Sequence, residues 1–385
     1  MDLELSEEQQ MLLKTVRSFV ERELLPHEQE VEKLGEVPHD LGQHITERAL
    51  DTGLYAANLP ASVGGAGLDY TSLALLEREY GKVTHALHGF AWRPTELLMA
   101  CNDAQRVKYL EPCVKAQKVE CFAITEPGAG SDIYSMNTKA EKRNGDWTIN
   151  GSKHFVSSHV LPDFAIVFAI TGIEKIRNKE RKRISAFLID RGTPGFEMQR
   201  GPRCVSQRAY HNYTLSFNDC RVGPEQMLGE EGDGLSLSDK WIKMGRVWVG
   251  AGCCGRAERL LELSLDWATK RKQFGQAIAK FQGVSFKIAD MATELHAADL
   301  LVMDAARKAD NGVMRPSDAA MSKLYASEML HRVAENSVQI YGGMGLMEGL
   351  PIEQLWRDSR LERIWEGTSE IQRHIISRSL IGELE

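Results

Sequence analysis

No stretch of these 385 residues approaches the ~20 consecutive apolar positions that a membrane-spanning helix needs. A basic surplus is missing too. Lys and Arg number 47 against 54 Asp and Glu, the net charge is -7 and the pI is near 5.9, so the electrostatic footprint of a nucleic-acid binder is absent. The seven cysteines, at 101, 113, 121, 204, 220, 253 and 254, follow no metal-ligand spacing, and adjacent Cys253 and Cys254 are poor disulfide partners. They read as reduced thiols in a reducing compartment. Strand and helix patterns never alternate as in a parallel βαβ sheet, and the glycines of Ser62–Gly67 lie between two helical stretches, which removes a dinucleotide fingerprint. There is no internal repeat and no low-complexity tract. Residues Met1–Gln10 are acidic and amphipathic, without a basic n-region, an apolar h-region or Arg-rich transit character. A cytoplasmic location is expected, with a trimmed form in the mitochondrial matrix as the alternative in a cell with organelles.

The chain is 43% hydrophobic and longer than a single core usually grows, so two or three domains are expected. Residues 6 to 32 carry Ser6 as N-cap, acidic first-turn residues, and Leu12, Val16, Phe19 and Val20 along one stripe. Further helical patterns run over 39 to 52, 70 to 83, 86 to 100 and 103 to 116. From Val119 the period shortens to two: extended runs lie at 119–124, 146–149, 152–157, 164–169, 184–189 and 213–217, with Asn150-Gly151 read as a hairpin turn. The basic run Lys175–Arg183 reads as a solvated hairpin tip. After Leu228 helical periodicity returns over 235–270, 281–311, 316–341 and 352–382, broken at Phe274-Gly275, Asn311-Gly312 and the glycine-rich Tyr341–Pro351. The expected fold is α+β: an N-terminal α-helical domain (1–118), a middle β-sheet domain (119–228) and a C-terminal four-helix bundle (229–385).

Chemistry gathers first at Ile364–Gln372. Glu366 stands beside Gly367, whose missing side chain leaves the carboxylate unshielded, at the entrance to a helix whose first N–H groups are unsatisfied. Ser369 and Gln372 have capping-box spacing, which places the helix start near Glu370. Glu366 is the candidate base; the alternative is an ion pair with Arg363 or an interaction with the helix terminus. A second locus is Thr125-Glu-Pro-Gly-Ala-Gly-Ser-Asp132, which leaves the first strand and enters more extended chain, so it does not cradle phosphate as a loop-to-helix turn would. Its glycines admit close approach of a flat ligand to the backbone and to the Thr125 and Ser131 hydroxyls, or it is an ordinary strand-end turn. Phe155 and Ser157 offer an aromatic face and a hydroxyl nearby.

Four motifs, Thr125–Asp132, Arg271-Lys-Gln-Phe-Gly275, Gln339-Ile-Tyr-Gly-Gly-Met-Gly345 and Arg357-Asp358 through Trp365-Glu-Gly-Thr-Ser-Glu-Ile-Gln372, occur in one order over nearly the whole chain, which thereby resembles the acyl-CoA dehydrogenase family of FAD-dependent flavoproteins. The resemblance implies that Glu366 removes the α-proton of an acyl thioester while the β-hydrogen leaves as hydride to N5 of FAD, giving a 2-enoyl-CoA. Some relatives place the base just before the arginine matching Arg246; here Gly245 stands there and cannot act. The same resemblance matches Phe122, Ile124, Thr125, Phe155 and Ser157 to isoalloxazine contacts. It matches Arg271, Gln273 and Phe274 to the pyrophosphate and adenine side, Gln339, Gly342 and Gly343 to a segment completing that site from a neighbouring subunit, and Thr368 and Glu370 to further FAD contacts. Ser131 and Arg246 match positions near the CoA arm, and Gly367 is a further substrate-binding position. The pattern departs at Lys243, where many relatives carry an acid, and at Val222-Gly223, where Val-Pro is common. No metal is implied. A homotetramer passing electrons to an electron-transfer flavoprotein follows; an acyl-CoA oxidase of the same fold, or a silent CoA- or flavin-binding relative, are the alternatives.

The family's acyl pocket is lined by the segment matching residues 84–99, here crowded with rings and polar groups. His88, Phe90 and Trp92 shorten such a cavity, and Arg93 or His85 suits a polar or carboxylated tail. A long straight alkyl chain is poorly served, so a short, branched, polar or ring-bearing acyl group is expected. Arg93 has an alternative partner in Glu96 on the helix surface, and the default reading of two buried histidines is as satisfied core residues.

Overall fold

The computed structural model describes residues 5–176 and 179–382. Ser6 and Gln9 exchange side-chain and backbone hydrogen bonds at 3.2 Å each, a complete capping box, and α1 (Glu7–Phe19) begins there. The stretch expected to be one helix over 6–32 is divided. A π segment (Val20–Leu24) and a 3-10 turn (Leu25–His27) separate α1 from α2 (Glu28–Leu34), because Pro26 has no N–H to give. Then come α3 (His39–Asp51) and α4 (Tyr70–Tyr80). The helix expected over 86–100 does not form. Only α5 (His85–His88) is α-helical, followed by 3-10 turns at Gly89–Ala91 and Glu96–Ala100. Pro94 removes a donor and pushes Arg93 out of helical conformation, so this segment bends into the protein. Next are α6 (Asp103–Gln105) and α7 (Glu111–Val114), bridged by a π segment.

The middle of the chain is one sheet of eight strands: β1 (Glu120–Ala123), β2 (Lys139–Arg143), β3 (Asp146–Ser158), β4 (Phe164–Ile176), β5 (Lys179–Asp190), β6 (Phe196–Arg200), β7 (His211–Val222) and β8 (Met227–Leu228). The order is β6-β7-β3-β2-β4-β5-β8, with β1 parallel to β4. Alternation divides β4 cleanly. Phe164, Ile166 and Phe168 pack with Leu59, Leu97, Tyr109 and Leu110 of the N-terminal helical region, while Ala165, Val167 and Ala169 join Trp147, Ile149 and Leu215 on the other side.

The hairpin expected at Asn150-Gly151 is not there. The turn falls at the earlier Asn144-Gly145, where both residues have left-handed φ (54° and 96°) and Arg143 pairs with Asp146, as a two-residue hairpin requires. At Asn150-Gly151, β3 continues through a bulge, which lets Trp147, Ile149 and Val156 enter one core. The basic stretch is a hairpin end, with β4 and β5 paired out to Ile176 and Lys179; residues 177 and 178 lie outside the described residues.

The C-terminal part holds α8 (Gly234–Lys270), α9 (Gln282–Asp310) and α10 (Pro316–Tyr341). The fourth stretch, expected over 352–382, is two helices, α11 (Pro351–Ser359) and α12 (Ser369–Gly382), separated by the loop that carries Glu366. α4 crosses α8 at backbone contact: a Cβ built on Gly255 would lie 1.7 Å from the Arg78 carbonyl oxygen, and one on Gly81 2.2 Å from that of Gly252. At this crossing Arg78 forms a fork with Glu258 (3.0 Å twice) and a second with Asp299 (2.8 and 3.0 Å). A single apolar core therefore runs through both helical regions. Among the described residues no helix is long and apolar enough to cross a membrane.

Candidate active site

The loop between α11 and α12 is fixed residue by residue. Arg363 pairs with Glu328 of α10 at 3.1 Å, so it is not the partner of Glu366. Glu362 is buried between Arg256 (2.6 Å) and the indole N–H of Trp365 (2.7 Å). Thr368, not Ser369, caps α12: its hydroxyl accepts the Ile371 N–H at 3.3 Å, and Gln372 turns inward to donate to the carbonyls of Glu366 (3.1 Å) and Gly367 (2.8 Å). The Ser369–Gln372 capping box is thus replaced by a Thr368 cap. Glu366 and Gly367 both adopt left-handed φ, 51° and 85°. For glutamate that conformation is strained and needs surroundings that impose it.

Held this way, the Glu366 carboxylate reaches α8 at Gly245, where a built Cβ would stand 3.1 Å from Oε2. A Cβ at 245 would crowd the carboxylate, which would have to give way by a few tenths of an ångström. Glu366 as a residue is exposed, yet its carboxyl sits deep among protein atoms: burial pushes it above the ordinary glutamate range, and the cations Arg246, Lys323 and Arg93 pull it back. Burial also lowers Arg246 and Lys323, and it raises Tyr210, beside Glu366, to which the carboxylate's charge adds.

Trp241, Gly245 and Trp248 share one face of α8 at helical spacing. Arg93 lies over both of these tryptophans and over Trp92, at 5.5, 5.2 and 4.9 Å. It therefore spans the notch that Glu366 enters. Its ion-pair partner is Glu77 of α4, which also accepts the Trp92 indole N–H at 3.2 Å, whereas Glu96 pairs with Lys240. The surface pairing of Arg93 with Glu96 does not occur. Arg93 Nε and Trp248 Nε1 are buried N–H groups without a partner. His85 stacks on Trp365 (4.8 Å) and meets His88 (4.2 Å) and Tyr210 (5.8 Å). His88 is buried against the Tyr80 carbonyl (3.2 Å), and burial lowers it to about 3, so both rings are neutral.

Thr125 is placed by its neighbour. Lys153 of β3 is fully buried and donates to the Ile124 carbonyl (3.0 Å) and to Glu126 (2.7 Å), and Glu126 also accepts the Asn137 and Thr138 N–H groups. The Thr125 carbonyl takes the His154 N–H at 3.0 Å. These bonds draw Phe122, Ile124 and Thr125 alongside Phe155 and Ser157. Ser131 is exposed on the same loop. Phe155, at a bulge with φ 51°, leaves its ring 66% exposed between half-buried His154 and buried Val156, with Ser157 two positions on: a flat aromatic group fits there. Arg271, Gln273 and Phe274 form an exposed group at the end of α8, and Phe274 is 93% exposed. Gln339, Gly342 and Gly343 come to the same end, because Tyr341 stacks on Trp267 at 4.6 Å, and Arg271 lies 6.0 Å from that indole. Glu370 is exposed on the first turn of α12, its carboxyl lowered by its own backbone N–H and by Thr368. Lys243 pairs with Asp239 one turn away. Tyr210, Glu77 and Lys323 were not marked by any spacing or motif; Glu126 and Trp365 stood inside motifs but without a role of their own.

Three family models match in order: the acyl-CoA dehydrogenase N-terminal domain over residues 6–117, the middle domain over 121–220 and the C-terminal domain over 232–381. An acyl-CoA dehydrogenase of Bacillus subtilis is 36% identical, with 99% of this chain and 100% of that protein covered. The caffeyl-CoA reductase-Etf complex subunit CarC of Acetobacterium woodii is 35% identical over 98% and 99%. Among solved structures, butyryl-CoA dehydrogenase from Megasphaera elsdenii superposes with a TM-score of 0.89 at 34% identity, covering 99% of this chain and 100% of that one.

Proposed function

The chain belongs to the acyl-CoA dehydrogenase family of FAD-dependent oxidoreductases, and from this we propose that it carries out α,β-dehydrogenation of a short, branched, polar or ring-bearing acyl-CoA with Glu366 as the base. The carrying observation is the Glu366 carboxylate brought to Gly245 in a strained conformation that burial, three cations and a clamped backbone all maintain. Bound FAD supplies the acceptor for the β-hydrogen, taken as hydride, and Thr125, Ser157 and Phe155 are read as holding its ring. Glu366 takes the α-proton. Burial makes it a stronger base than a free carboxylate, whose pKa is about 4.3, and so better matched to a weak carbon acid. Ser131 and Arg246 are read as holding the CoA arm. The exposed Phe274, with Met344, Leu346 and Met347, supports completion of the FAD site within a homotetramer, and an electron-transfer flavoprotein is the acceptor this reading implies. The domain limits proposed are 118/119 and 228/229. Anaerobic titration of the yellow protein with a panel of acyl-CoAs tests the reading. Rapid bleaching by one class is expected, and no bleaching by any with flavin present would overturn it.

Arg271→Ala is expected to release FAD on dilution, read by gel filtration and absorbance; full flavin occupancy would remove Arg271 from the site. At the acyl end, the tryptophan-backed Arg93 closes the notch to a long chain, and its Nε–H and the Trp248 N–H are donors for oxygens on a tail. The pair Arg93→Met with Glu77→Gln, which leaves no unpaired carboxylate, should lower the kcat/KM ratio of oxygen-bearing to butyryl tails by about tenfold or more. An unchanged ratio would place Arg93 outside substrate reach.

A further inference from the structure

Lys323, on α10, is fully buried, and its ammonium makes one hydrogen bond, to the Gly367 carbonyl at 2.8 Å. No carboxylate lies within ion-pair distance among the described residues. An ammonium so placed is costly to bury and persists where the surroundings hold it. The carbonyl it grips is shared with Gln372, itself 0% exposed, which also holds the Glu366 carbonyl. The two side chains therefore clamp the two residues of the loop that have left-handed φ.

We propose that Lys323 is a positioning residue for Glu366: its ammonium, with Gln372, locks the Glu366–Gly367 backbone so that the carboxylate meets Gly245, and its charge favours the carboxylate form. The inference rests on the reading of Glu366 as base. The other groups facing Glu366 are Arg246 of α8, Arg93 of the segment after α5, and Tyr210 before β7; Cys253 of α8 and Glu362, neutralised by Arg256, face Lys323. Without the ammonium, two of the three cations remain. The backbone clamp is halved.

The experiment uses the full-length holoenzyme in three forms, Lys323→Met, Lys323→Gln and Glu366→Gln, and follows anaerobic flavin reduction by the acyl-CoA that bleaches the wild type, from acid to alkaline pH. Lys323→Met should lower the limiting rate by ~10- to 100-fold, the scale on which misplaced reacting groups act. Its apparent dissociation constant for acyl-CoA should barely move, and its acid limb should shift to higher pH, because a carboxylate that loses a neighbouring cation ionises later. Lys323→Gln keeps a donor without charge. It should recover part of the alkaline plateau while retaining the displaced limb, a split that loss of packing alone would not produce. If the Met form does not hold flavin, the limb of the Gln form decides. Wild-type plateau and limb in the Lys323 variants, with reduction lost in Glu366→Gln, would overturn this inference alone; reduction persisting in Glu366→Gln would overturn both it and the base assignment.

Discussion

Glu366→Gln should leave FAD and acyl-CoA bound and yet slow flavin reduction by ~10²- to 10⁴-fold, the usual contribution of a positioned proton acceptor. The change keeps the size of the side chain and the carbonyls that Gln372 and Lys323 grip, so the loop has no cause to move. It removes only the basicity. Gly245 offers no carboxylate in substitution, and Glu362, four residues earlier, is tied to Arg256 and Trp365. The same chemistry predicts the pH profile of the wild type. Only the ionised carboxylate accepts the proton, and burial raises its pKa, so kcat/KM should climb with pH through an acid limb lying above the ordinary glutamate range of about 4.3. A Gln variant that bleaches at the wild-type rate would end the assignment of Glu366, and a limb at the ordinary value would show that the carboxyl is not desolvated.

The second large effect is on the scaffold. Gly255→Val should fail to fold or lose several degrees of Tm, because even its Cβ would fall 1.7 Å from the Arg78 carbonyl oxygen, and no rotamer relieves a backbone overlap. To admit it, α4 and α8 must part. Separation would loosen both forks of Arg78, leaving Glu258 and Asp299 less well paired in a half-buried setting, which adds to the strain. α8 also carries Gly245 and Arg246, so any folded fraction should reduce flavin more slowly as well. Thermal unfolding followed by far-UV circular dichroism would decide, and an unchanged Tm would mean that the helices do not approach so closely.

Much of the architecture was legible in the sequence, and the misreadings have specific causes. Ser6 with Gln9, the breaks at Asn311-Gly312 and Tyr341-Gly342, and the change from period 3.6 to period two near Val119 are local signals, and the structure follows each. Two Asn-Gly pairs lie six residues apart, and turn chemistry alone does not rank them; burial of Val156 with Trp147 chose the first. Apolar periodicity runs straight through the 86–100 stretch, but Pro94 cannot continue a helix, and the segment folds as 3-10 turns instead. At the α12 start, Thr368 and Ser369 are both good caps, and the inward turn of Gln372 decided between them.

The order of helical, sheet and helical regions, the lack of any run long and apolar enough for a membrane-spanning helix, and the prominence of Glu366 and the Thr125 loop were all legible in the sequence, because periodicity, caps and glycine placement act over a few neighbouring residues. Only the tertiary structure decided that Glu366 meets Gly245, that Arg93 turns inward to Glu77 among three tryptophans, and that Lys323 grips Gly367. These are pairings between distant segments of buried charged and polar groups. Their partners are set by which helices come together, and the desolvation that makes them matter exists only once the chain has closed around them.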